Sequence, residues 1–256
     1  MQNIEMQEAT QEFARCWQAA GRHLQSMAHD GKLNWLKADL IPPILEHLSF
    51  RLGNQLFYVR VFDIDGQVKG PGNDKGYRTI ADGCKGHACL MPMRNTPRGW
   101  ETCKADWGLI DPDSGKTIDP YNLVNDEKII MTDWEVHDFA VQVVRDQITN
   151  KLGYELMSSQ GNPEVDPSIW FVGDRGPEWV VVRGVRYPDL EATMPSNIAE
   201  IADICLRTSR TGYFASVGCA STEDAFDPSG EIPALPLWRG HGIFVRFQGL
   251  GPVEIQ

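Results

Sequence analysis

A chain of 256 residues, 42% of them hydrophobic and 23% charged, has the length and apolar content for one large globular domain or two small ones, each with its own core. Its 35 acidic and 24 basic side chains leave a net charge of −11, which disfavours broad phosphate-backbone binding because that needs clustered Lys and Arg. The 6 cysteines are too sparse for a disulfide framework, no apolar run reaches the roughly 18 residues of a membrane span, and the polar, acidic opening MQNIEMQEATQEFARCW has no signal-peptide pattern, so a cytoplasmic protein that meets no membrane is expected.

In chain order, residues 4–28 contain few Gly or Pro and place Phe13, Trp17, Ala20 and Leu24 at helical spacing. A second helix is predicted from about Trp35 to Leu48, kinked or restarted at Pro42-Pro43. QLFYVRVF (Gln55 to Phe62) reads as a strand, closed by the turn Asp63-Ile64-Asp65-Gly66, whose spacing does not fit a calcium loop. From Gly66 to about Tyr121 the periodicity dissolves; short antiparallel strands are expected there, because so long a structureless loop is improbable in a compact domain. Within it, GPGNDKG (Gly70 to Gly76) lacks the phosphate-loop pattern and reads as a hairpin tip, with Lys75 opening no helix.

The helix from about Asp133 to Leu152 is the clearest local signal: its apolar face covers over half the circumference, Asp133 can cap its start and Gly153 can end it. Strands are predicted at Ser168 to Val172 and Trp179 to Tyr187, around the turn Asp174-Arg175-Gly176-Pro177. A helix from about Ile198 to Thr208 follows, with Asn197 and Glu200 spaced for a capping box, then strands at Tyr213 to Ala220 and Gly242 to Phe247. The back half thus reads α-β-β-α-β-β, and no internal repeat is visible. A boundary near 123–131 divides a helical and irregular β region, 1–125, packed on the core, from an α/β domain, 126–256.

A helix with an early glutamate, a strand opened by aspartate, a turn and a strand ending in a basic residue resembles the PD-(D/E)xK nuclease superfamily. The resemblance implies a restriction-endonuclease-like αβββαβ core, with an α+β mixed sheet, in the C-terminal half. It also implies that Glu135 stands at the helix acid, Asp166 at the strand-opening, metal-binding aspartate, and Val181-Val182-Arg183 at the acid-x-lysine triplet. That family's chemistry holds Mg²⁺ between carboxylates from neighbouring strands. Here Val181 replaces one carboxylate, removing roughly 4 kcal/mol of attraction per unit-charge pair at an effective dielectric near 20. Arg183 replaces a lysine with a cation that cannot lose its proton. Glu178 is a candidate migrated acid, but five residues from Arg183 it faces the other side of a regular strand.

The expectation is therefore a non-catalytic nuclease-fold protein that binds a protein partner, in an inhibitory, immunity-like or regulatory role, with no cofactor and with Arg183 bridging Asp166 in a metal-free ion pair. The alternative is an active nuclease using Mg²⁺ or Mn²⁺ on Glu135, Asp166 and Glu178. Two further patterns stand apart. Cys84, His87, Cys89 and Cys103 can be drawn as a zinc set, although the spacing fits no common zinc signature. In Leu237-Trp238-Arg239-Gly240-His241, Trp238 and Arg239 are residue types that anchor interfaces.

Overall fold

The computed structural model describes residues 10–29, 33–38, 47–223 and 234–254. The chain divides between Glu127 and Lys128 into two compact units, inside the predicted boundary. Among the described residues no helix is long and apolar enough to cross a membrane.

In the N-terminal unit, α1 (Gln11–Met27) is capped by Thr10, whose hydroxyl accepts the Phe13 amide at 3.1 Å. It buries Phe13, Cys16, Trp17, Ala20 and Leu24, the helical stripe expected from spacing. Antiparallel strands β1 (Asn34–Lys37), β2 (Leu48–Leu52) and β3 (Gln55–Asp63) follow. Helix α2 (Asp74–Gly83) then crosses over to β4 (His87–Thr96), which runs parallel to β3. Strand β5 (Gly99–Thr102) turns back antiparallel on β4, and the two-residue strands β6 (Leu109–Ile110) and β7 (Thr117–Ile118) extend the sheet. Phe57, Val59 and Val61 face the core under α1. The alternate face carries Arg60, which pairs with Asp74 of α2 at 2.9 Å.

Three expectations are corrected here. Trp35 and Leu48 belong to strands rather than to one helix, because Trp35 pairs with Phe50 across the β1–β2 ladder; Pro42-Pro43 lies outside the described residues. GPGNDKG is no hairpin tip: the Asn73 side chain accepts the Lys75 and Gly76 amides at 3.0 Å and starts α2, so Lys75 lies in a first helical turn. The irregular region resolves into a mixed sheet. Asp63 organises its turn with its carboxylate, accepting the amides of Asp65, Gln67 and Val68 at 2.8–3.0 Å.

The C-terminal unit opens with α3 (Asp133–Asp146), which continues through one wide π turn over Gln147–Lys151 to Gly153 at φ 74°. Its cap is Thr132, not Asp133: Thr132 and Glu135 form a reciprocal capping box. Strands β8 (Glu155–Ser159), β9 (Ile169–Gly173) and β10 (Gly176–Arg186) are antiparallel neighbours. Helix α4 (Ile198–Cys205) crosses over to β11 (Gly212–Ser221), parallel to β10. Strands β12 (Ile243–Phe247) and β13 (Gly251–Pro252) pair antiparallel with β11. The expected box at Asn197 is absent, since that residue is not extended and its side chain makes no capping bond. Strand β8, short and polar, and the two-residue β13 raise the order to α-β-β-β-α-β-β-β.

Both units therefore share one plan: helix, three antiparallel strands in sequential order, crossover helix, parallel fourth strand, antiparallel return. The hairpins agree as well: the pairs Leu52–Gln55 and Gly173–Gly176 each close a two-residue turn and begin a ladder of five antiparallel pairs. This is a repeat of architecture that the sequence does not display. In the second copy α3 rides so close to β10 that a Cβ on Gly184 would lie 2.9 Å from the Val136 carbonyl oxygen, and only glycine permits that approach.

Candidate functional site

Strand β10 sorts its side chains to two faces. Val180 and Val182 pack with Val136, Ala140 and Val144 of α3. Trp179 and Val181 pack with Ile201, Ala202 and Cys205 of α4. Glu178 therefore shares the α3 face, and Arg183 the α4 face.

Asp166 lies in the loop before β9, ahead of a cis peptide to Pro167. Both of its oxygens are held by Arg183: Nη1 donates to Oδ1 at 2.9 Å and Nη2 to Oδ2 at 2.6 Å, while Nη1 also donates to the Val182 carbonyl. The two side chains keep 12% and 23% exposure, and Val181 beside them is fully buried. A divalent ion needs converging oxygens. Here one carboxylate is spoken for twice and its neighbour is a valine, so these residues do not fit Mg²⁺ or Mn²⁺.

Glu135, the expected helix acid, is not beside Asp166. It sits at the start of α3, on the opposite side of the sheet from α4, with 7% exposure. Its Oε1 accepts Arg239 Nε at 2.8 Å and its Oε2 accepts Arg239 Nη2 at 2.9 Å, while Oε2 also accepts the Thr132 amide at 2.8 Å. Arg239 is accordingly no surface anchor: its side chain is 2% exposed. Trp238 next to it is half-buried, with Lys128 Nζ 5.8 Å from its ring centroid.

Glu178 lies away from both pairs and is 3% exposed. Its carboxyl folds over Gly173, where a Cβ would come within 2.6 Å of its carboxyl carbon. It accepts the Arg175 amide at 3.3 Å and faces the Tyr213 hydroxyl. A cleft of 340 Å³ opens here, walled by Tyr154, Phe171 and Tyr213 and rimmed by Asp174 and Arg175. Tyr154 donates its hydroxyl to Asp174 at 2.9 Å. That bond raises the Tyr154 phenol above its ordinary range; burial, then the Glu178 carboxylate, raises Tyr213. Nothing in the local sequence marks this cleft, because the end of α3 and strands from separate hairpins meet only through the topology.

The three candidate acids thus do not converge, and among the described residues no group of three or more His, Cys, Asp or Glu is arranged to hold a metal. The candidate zinc residues are likewise dispersed. Cys84 closes α2, the His87 ring bonds Gln55 at 3.1 Å, and Cys89 is in the core under α1. None of the 6 cysteines is in a disulfide. Burial pushes the Cys16, Cys205 and Cys219 thiols up to about 12 and raises Cys89 and Cys103 as well, but Cys103 alone is partly exposed. A thiol reagent at neutral pH is expected to label Cys103 alone in the folded protein and the other five only after unfolding, as read by mass spectrometry of the labelled peptides.

Residues 134–253, from α3 to just past β13, match the family described as a domain of unknown function, DUF8840. No curated protein matches the chain. No solved structure matches it either.

Proposed function

We propose that this chain acts by binding a protein partner and does not cleave phosphodiesters, and that its C-terminal unit is a restriction-endonuclease-like scaffold whose catalytic cradle is closed by arginine. The observation that carries this reading is the bidentate Arg183–Asp166 pair beside the buried Val181. A guanidinium stays protonated and occupies the side of the carboxylate where an ion would bind. The order of α3, three antiparallel strands, the α4 crossover and the parallel β11 supports the scaffold. The N-terminal unit supports a structural rather than catalytic use of that plan, since Phe62 and Arg60 stand at the positions of Arg183 and Val181.

A net charge of −11 suits a protein that covers a basic partner, as an inhibitor or regulatory subunit. The discriminating assay incubates the full chain with supercoiled plasmid and with single-stranded DNA and RNA in Mg²⁺ and in Mn²⁺. No cleavage above a buffer blank is expected. Cleavage that Asp166→Asn abolishes would establish the nuclease reading instead.

A further inference from the structure

Of the three acids on this framework, two carry a bidentate arginine and one does not. Among the described residues no lysine, arginine or histidine forms an ion pair with Glu178. The polar groups that face it, the Arg175 amide and the Tyr213 hydroxyl, are uncharged. A buried carboxylate without a counter-charge is costly, and that cost falls when a cation arrives. The Glu178 carboxylate is also the one that borders a cleft.

The walls of the cleft specify the cation. Tyr154 stacks on Phe171 at 5.6 Å between centroids, and Phe171 lies 6.2 Å from Tyr213, so aromatic surface runs beside the carboxylate. Such faces attract organic cations and cover an alkyl stem. Asp174 adds a second acid at the rim. Both phenols are raised, so they remain neutral beside the acids around neutral pH. Arg175, also at the rim, is exposed and pairs with neither acid. Two carboxylates with aromatic walls are too few oxygens for a hard metal ion. They suit a guanidinium or ammonium head on a methylene chain, and 340 Å³ is ample for one such side chain.

We propose that this cleft receives an arginine or lysine side chain of a basic protein partner. The proposal rests on the reading that the chain works by protein binding, and it names the chemistry of the partner. The test titrates the full chain by calorimetry with an end-blocked peptide containing two arginines, its lysine and citrulline counterparts, and agmatine. Saturable binding of an arginine or lysine peptide is expected, with the citrulline peptide weaker by roughly thirtyfold or more. Glu178→Gln keeps an acceptor for the Arg175 amide and is expected to lose binding to a similar degree, whereas Asp203→Asn, on the exposed face of α4, leaves binding unchanged. Should Glu178→Gln fail to fold, Asp174→Asn replaces it and is expected to weaken binding severalfold.

Absence of saturable binding by either cationic peptide, or equal binding of the citrulline peptide, overturns the proposal. Agmatine binding as tightly as the arginine peptide overturns it in favour of a small-cation site. A silent titration leaves the non-catalytic reading standing, while DNA cleavage would remove that reading without affecting the titration, so the two failures are separable.

Discussion

Arg239→Met is expected to destabilise the C-terminal unit by about 3–5 kcal/mol, read from equilibrium urea unfolding. Methionine keeps most of the apolar stem of arginine, so the loss reports the missing charge more than missing volume. What remains is Glu135, 7% exposed, with only the Thr132 amide left to accept. An orphaned buried carboxylate bears the full penalty of leaving water. The double variant Glu135→Gln/Arg239→Met separates this cause from simple loss of packing. Glutamine carries no charge and still offers an oxygen to the capping box, so the double variant is expected to be more stable than Arg239→Met by roughly 1 kcal/mol or more. Additive losses from Arg239→Met and Glu135→Gln would mean that the pair is not coupled as its geometry requires.

The elements legible in the sequence are those with an unbroken apolar pattern or clear turn signals at their ends: α1, α3, α4, β3, β9, β10, β11 and β12. Strand β1 was hidden because Trp35-Leu36-Lys37 satisfies a helical spacing as well as an alternating one, and only pairing with Phe50 decides between them. Helix α2 was hidden behind Gly70, Gly72 and Gly76, which surround its Asn73 cap. The repeat was hidden because it conserves which face is apolar and not which residue is present; Phe57 stands where Glu178 does, and Phe62 where Arg183 does.

The candidate site divides along the same line. Asp166 and Arg183 were readable as partners because one hairpin brings them together, 17 residues apart in the chain. Glu135 and Arg239 were not, because they are 104 residues apart and the Trp-Arg dipeptide looks like a surface anchor until its guanidinium is seen inside. The prediction that Glu178 faces away from Arg183 followed from strand parity alone. What that other face held, an aromatic cleft, depended on Tyr154 and Tyr213, which no local rule connects.

Asp166→Ala tests the arginine-closed cradle through the sign of its effect on stability. If Asp166 serves as half of an ion pair, its removal strands a guanidinium whose side chain is only 23% exposed. The expected loss is about 2–3 kcal/mol, below that of a fully buried pair because water still screens part of the charge. If Asp166 instead belonged to a set of converging carboxylates awaiting a metal, its removal would relieve like-charge repulsion and stabilise the protein, as substitutions at strained functional sites commonly do. Asp166→Asn, which retains one acceptor for Arg183 Nη1, is expected to fall between the wild type and Asp166→Ala. Arg183→Met is expected to be as damaging as Asp166→Ala, because it strands a carboxylate that is 12% exposed. Losses of similar size from both sides of the pair, with the double Asp166→Ala/Arg183→Met variant well short of their sum, are the signature of a charge held by its partner.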